Sequence, residues 1–298
     1  MPAFNIEVYL KEKRSLIDRA LKRYLEPCKR YPRTLYQAMR YGVFPGGKRL
    51  RPILTLACGE LFGGKQRRLL PFACALELIH AYSLIHDDLP ALDDDDFRRG
   101  ELSNHKVFGE GVALLAGDAL LTEAFYLISN SRMARLLEPE TILDLIREMS
   151  YAAGGQGMVG GQAVDLQAEP QKLDLSMIEN IHLRKTGALI LAAGRGGAMI
   201  GGAGPKELRR ISRYLEFLGL AFQIADDILD SNTSGETSRT ESAEKEKKKA
   251  TYLSVMGLAG AKDRLEELLG QCLKEIELFG KDADPLRGIA NYVARRAR

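Results

Sequence analysis

The chain has no tryptophan, and no basic run in it is interleaved with aromatics. A stacking platform for single-stranded nucleic acid therefore lacks its parts. The net charge of +3 over 298 residues is too small to predict a nucleic-acid partner. Cys28, Cys58, Cys74 and Cys272 are scattered without a CxxC pair, which leaves a structural zinc site unsupported and reads as buried free thiols. No uninterrupted apolar run approaches the roughly 20 residues of a membrane span. The N-terminus lacks an apolar core followed by a small-residue cleavage site, so no secretory signal is read and a cytoplasmic location is expected. Valines are few and strand-like alternation is missing. Also missing are GxSxG, HExxH and the GxxxxGK[ST] spacing of a Walker loop. His105 reads as a surface or capping residue.

What is present is helical periodicity. Leu16, Ile17, Ala20, Leu21, Tyr24 and Leu25 recur at three- and four-residue steps. Long apolar helices are expected over Leu69–Asp88, Val112–Ser129, Glu140–Met158, Ile178–Ile200 and Lys206–Asp230, with Gly63-Gly64, Gly201-Gly202 and Gly204-Pro205 as stops. The expected architecture is all-α: a single domain, residues 1–298, formed by a bundle of long helices. Ser231–Glu246 is polar and reads as a mobile loop and candidate lid; Glu244–Lys249 reads as a solvated charge run.

Two acidic clusters carry the chemistry. The first runs Asp87-Asp88-Leu-Pro-Ala-Leu-Asp93-Asp94-Asp95-Asp96 and ends an apolar helix. Six like charges in ten residues repel one another, and anions at a helix C-terminus oppose its dipole. A multivalent cation relieves both. Pro90 interrupts the helix there, which matters because the six-residue step from Asp87 to Asp93 does not return to one face of an ideal helix. The second cluster is Asp226-Asp227-Ile-Leu-Asp230, in which Asp226 and Asp230 share a face. These hard oxygen donors suit magnesium. The helices share an echo: Leu76-Glu77-Leu78-Ile79 stands eleven residues before Asp87-Asp88, and Leu215-Glu216-Phe217-Leu218 eleven before Asp226-Asp227. Gly46-Gly47-Lys48-Arg49-Leu50-Arg51-Pro52 sets three cations beside two glycines, a composition suited to a diphosphate. Arg98 and Arg99 follow the first cluster. Lys185-Thr186 sits on a helix among small residues that permit close packing.

GGKRLRP (46–52), YSLIHDDLPALDDDDFRRG (82–100), GGQAVDLQAE (160–169), RKTGALI (184–190) and FQIADDILD (222–230) occur in an order that resembles the trans-isoprenyl diphosphate synthases, especially bacterial farnesyl diphosphate producers. The resemblance covers nearly the whole chain. It implies helices around a deep apolar cavity and a homodimer. It implies head-to-tail condensation of isopentenyl diphosphate with dimethylallyl and geranyl diphosphates. Asp87, Asp93 and Asp226 match the family's magnesium ligands, with three ions when diphosphate is bound. Arg98 matches the allylic diphosphate site; Lys48, Arg51, His80 and Arg99 match the isopentenyl diphosphate site. Lys185, Thr186 and Gln223 match residues beside the reacting carbons. Lys249 matches a lysine before the Thr251-Tyr252 pair, although the loop ahead of it departs from the family pattern. Arg184 stands where the family has histidine, and Leu183 where it has arginine. An aromatic residue at Tyr82, next to the small Ser83, implies a fifteen-carbon product; geranylgeranyl diphosphate synthesis is the alternative. A terpene cyclase and an inactive helical partner subunit are more distant alternatives.

Overall fold

The computed structural model describes residues 4–26, 31–44, 46–168, 174–237 and 251–296, with backbone alone over 232–237. The periodicity becomes thirteen α-helices among these residues. They are α1 (Ile6–Tyr24), α2 (Arg33–Val43), α3 (Leu50–Leu61), α4 (Gln66–Asp87), α5 (Asn104–Phe108), α6 (Glu110–Ser129), α7 (Pro139–Ala153), α8 (Met158–Gln167), α9 (Leu175–His182), α10 (Ala188–Gly201), α11 (Pro205–Thr237), α12 (Tyr252–Ile276) and α13 (Asp284–Arg296). Local chemistry sets many of the ends. The Asn5 side chain accepts from the amides of Glu7 and Val8 to start α1. Thr251 and Ser254 form a capping box at α12. Gly202, at φ +92°, closes α10.

The core lies between α4, α10 and α11 and the helices packed on them. Phe72, Leu76 and Ile79 of α4 and Leu215 and Leu218 of α11 are fully enclosed, each contributing about 1.5–3 kcal/mol of apolar burial. Helix α10 lies directly on α3: a Cβ at Gly197 would come within 2.2 Å of the Thr55 carbonyl oxygen. The small residues noted in this stretch thus serve helix packing. Cys58, Cys74 and Cys272 are buried free thiols, and burial pushes all three up in pKa.

Several expectations need correction. The expected helix over Glu140–Met158 is broken at Gly154–Gly157, where α7 ends and α8 begins. Between α9 and α10 the chain widens into one π-helical turn, Leu183–Gly187. Helix α11 continues to Thr237, so the first seven residues of the expected loop at Ser231–Glu246 are helical; its remainder, with Lys249 and Cys28, lies outside the described residues. A short antiparallel hairpin, β1 (Phe97–Arg98) with β2 (Glu101–Leu102), was not foreseen. Its two-residue turn places Arg99 and Gly100 at φ +56° and +84°, the geometry that matches strand twist. Among the described residues two helical segments, α4 (Gln66–Asp87) and α6 with the 3-10 turn after it (Glu110–Arg135), are long and apolar enough to cross a membrane by length and composition. Isolated polar residues interrupt the runs without changing their average character. The most apolar stretch of the first is 78 % buried within the protein, that of the second 39 %.

Candidate active site

The Gly46–Arg51 segment, the face of α4 carrying Glu77 and His80, the β-hairpin turn, the π turn and α11 converge on one cleft of about 590 Å³. Lys48, Arg51, His80, Arg99, Thr186, Gln223 and Asp226 all line it. Six residues picked from four separate sequence blocks, and His80 besides, are therefore brought together.

The basic motif divides its work. Arg49, at φ +52°, turns into the core. Its guanidinium donates to Glu77 Oε1 at 2.6 Å, Asp18 Oδ1 at 2.9 Å and the Val43 carbonyl at 2.7 Å. Lys48 and Arg51 face the cleft. Burial lowers the Arg51 pKa, with Arg99 adding to the effect against Glu77, and its buried Nε has no hydrogen-bond partner. Burial also lowers the Lys48 pKa, as does Arg296, while Asp226 and Asp230 oppose the shift. Gly47 sits at φ +120°, and a Cβ there would lie 2.8 Å from Arg99 Nη1, which donates to the Gly46 carbonyl at 2.8 Å. Burial, then Arg51 and Arg99, hold His80 well below the ordinary histidine pKa, so its imidazole is neutral. A cleft wall of partly desolvated cations with an orphaned donor is a site for a polyanion.

At the first acidic cluster, α4 stops at Asp87, and the chain folds back so that the Asp93 amide donates to the Asp87 carbonyl at 2.9 Å. The turn brings together two side chains that an ideal helix would separate. Burial pushes the Asp87 carboxyl up to about 6; Asp93 and Asp88 add to this, against Lys185 and Arg98. Arg98 is engaged by Asp88, through Nε to Oδ1 at 2.8 Å, and by Asp95 at 3.3 Å.

At the second cluster, burial raises the pKa values of Asp226, Asp227 and Asp230. Asp226 pairs with Arg296 of α13, whose guanidinium also lies 5.1 Å from the Phe222 ring centre. Sequence reasoning missed Arg296, because nothing local ties the last helix to residue 226. Asp227 faces the other way. It accepts from Gln223 Nε2 at 3.0 Å and from the Tyr252 amide at 2.9 Å, tying α11 to the start of α12. With its amide nitrogen so held, Gln223 presents Oε1 to the Thr186 hydroxyl at 3.3 Å.

The π turn carries both Lys185 and Thr186, as such turns often do at working sites. Helix α8 braces it. A Cβ at Gly161 would meet the Lys185 backbone nitrogen at 2.4 Å, and Asp165, one turn later, pairs with Lys185 Nζ at 2.6 Å. Tyr82 is buried on α4, edge-on to His86 with ring centres 5.6 Å apart, and the Ser83 hydroxyl donates to the His80 carbonyl. His105 is neither a surface nor a capping residue: it is buried.

Carboxylate clusters at the end of α4 and within α11, a wall of cations for a polyanion and an almost wholly helical frame define a prenyltransferase that elongates trans-prenyl chains. The chain belongs to the polyprenyl synthetase family, whose model matches residues 32–282, and this family is magnesium-dependent. It is 42 % identical to a farnesyl diphosphate synthase of Geobacillus stearothermophilus, over 99 % of both chains. It is 40 % identical to a geranylgeranyl diphosphate synthase of Cyanophora paradoxa, over 98 % of this chain and 97 % of the relative. A crystal structure of an FPP/GFPP synthase from Zymomonas mobilis superposes with a TM-score of 0.87 at 38 % identity, covering 97 % of this chain and 99 % of that one.

Proposed function

We propose that the protein makes farnesyl diphosphate by condensing isopentenyl diphosphate with dimethylallyl and then geranyl diphosphate. The observation that carries the condensation is the convergence of Lys48, Arg51, His80, Arg99, Thr186, Gln223 and Asp226 on one cleft.

Lys48, Arg51 and Arg99 take the diphosphate of isopentenyl diphosphate, with the Arg51 Nε as an unspent donor. Neutral His80 donates a hydrogen bond without adding a like charge. Arg98 takes the allylic diphosphate, Lys185 stands with Thr186 and Gln223 beside the reacting carbons, and Lys249 is assigned to substrate binding by family likeness. The Thr186 and Gln223 oxygens face the positive charge that develops as the allylic C–O bond breaks, and Asp227 holds Gln223 in that orientation. The double bond of isopentenyl diphosphate attacks the allylic carbon, and the released diphosphate accepts the proton. Exclusion of water protects the cation.

Asp87, Asp93 and Asp226 would hold magnesium, three ions with diphosphate bound. Asp87 and Asp226 fit this: they are partly buried hard oxygen donors whose carboxyl pKa values burial raises. When bound, magnesium supplies electrostatic stabilisation of the departing diphosphate.

Tyr82 supports the fifteen-carbon product. It is buried five residues before Asp87, about 7.5 Å along α4, where a growing prenyl tail meets a packed wall. Leu114, Leu115 and Tyr126, exposed on α6, support a homodimer, and a cytoplasmic location is part of the same reading. The test is chromatography of dephosphorylated products from dimethylallyl and isopentenyl diphosphates with magnesium. Wild type yields farnesol and Tyr82→Ala yields longer alcohols. Geranylgeraniol from wild type replaces the farnesyl assignment with the geranylgeranyl one, and an unchanged Tyr82→Ala distribution removes Tyr82 as the floor.

A further inference from the structure

Just beyond the proposed magnesium ligand Asp93, the acidic run contains a second constellation. One carboxylate oxygen each of Asp94 and Asp96 and one ring nitrogen of His105 lie within 4.8 Å of one another. His105 is only 6 % exposed, and neither ring nitrogen has a hydrogen-bond partner among the described residues. A buried imidazole without partners forgoes the compensation that desolvated polar groups ordinarily find. Here it does so at the edge of two carboxylates.

The backbone around the constellation is fixed. The Asp94 amide donates to the Leu89 carbonyl at 3.2 Å, and Asp94 itself adopts φ +53°. The Ser103 amide donates to the Asp96 carbonyl at 2.8 Å, joining the acidic run to the start of α5. Asn104, the residue before His105, donates from Nδ2 to the Ala38 carbonyl at 2.9 Å and anchors α5 to α2. The backbone carrying the imidazole is thus held in place, while the Asp94 and Asp96 side chains are exposed.

We infer that Asp94, Asp96 and His105 form a binding site for a divalent transition-metal ion of the zinc class, separate from the magnesium carboxylates. One imidazole with two carboxylates selects a borderline cation over magnesium, which prefers an all-oxygen shell. Ligand bonds near 2.0–2.2 Å require donor atoms roughly 3–4 Å apart, so rotation of the two aspartates closes the observed spread. The Lys106 ammonium, 2.7 Å from Asp96 Oδ1, must swing away. That pair is solvent-exposed on both sides, and such pairs contribute little. A cation here clamps the loop that carries Asp93. The inference stands independently of the product assigned above.

The test is zinc titration in excess magnesium, which keeps the substrate-site carboxylates occupied, followed by histidine Cε1–H NMR and calorimetry. The chain contains four histidines, and the His105 signal is assigned by its loss in His105→Gln. The expected result is one zinc per chain, a shift confined to the His105 signal, and affinity weakened at least ~10-fold in Asp94→Asn/Asp96→Asn but retained in Asp87→Asn. The double variant changes only exposed side chains, so it stays informative if His105→Gln misfolds. Zinc uptake without movement of the His105 signal, uptake unaffected by the double variant, or no uptake above magnesium each overturns the site.

Discussion

The two aspartate clusters, one at the end of α4 and one within α11, solve one electrostatic problem with different partners. At the end of α4, Asp88 is neutralised by Arg98, ten residues further along the chain. At α11, Asp227 is held by Gln223 and by the amide of Tyr252, and Asp226 by Arg296 from the last helix. In each pair the second aspartate is spent on structure, and in the second pair the first aspartate, Asp226, lines the cleft. The helices also end differently. Helix α4 stops at Asp87 so that Asp93 can fold back, whereas α11 runs on to Thr237 and relies on ordinary helical spacing to place Asp226 and Asp230. The echo between them extends to the aspartates but not to Glu77 and Glu216: Glu77 is buried against Arg49, and Glu216 is exposed. Similar sequence at corresponding places thus acquires different work from its neighbours.

The comparison breaks most visibly in catalysis. Asp87→Ala and Asp226→Ala should each lower kcat by about 100- to 1,000-fold, as loss of a principal electrostatic stabiliser does. The double variant should fall little further, because the two act on one unit. Steady-state rates at saturating magnesium, with circular dichroism to confirm retained helicity, check this.

Asp88→Ala tests the structural member of the first pair. It leaves Arg98 partly buried without its main partner, which should cost about 1–3 kcal/mol of stability. Urea unfolding measures it; an unchanged midpoint would mean that Asp95 suffices.

Asp87→Asn reverses the sign of a stability effect. The native carboxyl titrates near 6 against an ordinary 3.8. The native state therefore binds the proton first, and wild-type stability falls as pH rises from about 4 to 6. Without metal, Asp87→Asn should be more stable than wild type by up to about 3 kcal/mol above pH 6. The gain should vanish below about pH 4. Thermal melts in chelator across this range read it directly.

The smallest effect is expected at Arg296. Removing it frees Asp226 from its ion pair, so Arg296→Ala should lower the magnesium concentration for half-maximal rate by roughly threefold, about 0.65 kcal/mol at RT ≈ 0.59 kcal/mol. A magnesium titration of initial rate checks the direction.

Much of this was legible in the sequence because it is local. The i, i+4 spacing of Asp226 and Asp230, the helix break at Pro90 and the glycine stops follow from backbone geometry within a turn or two. Family likeness added the residues whose roles depend on substrate. What the residues alone could not disclose is which way each group turns. Arg49 and Arg51 stand two apart in one basic motif, yet Arg49 is locked onto Asp18 and Glu77 while Arg51 keeps a buried Nε without a hydrogen-bond partner among the described residues. His105 looked peripheral because its burial comes from packing that local spacing does not encode. Lys185-Thr186 could be placed on a helix, but the π turn and the support of Gly161 arise only when α8 lies against it. Periodicity and charge spacing are properties of the chain and determine the helices and the chemistry they carry. The partner of each charge is set by contacts between segments far apart in sequence, so Arg296 on Asp226 and Asp227 on Tyr252 were decided by the tertiary fold.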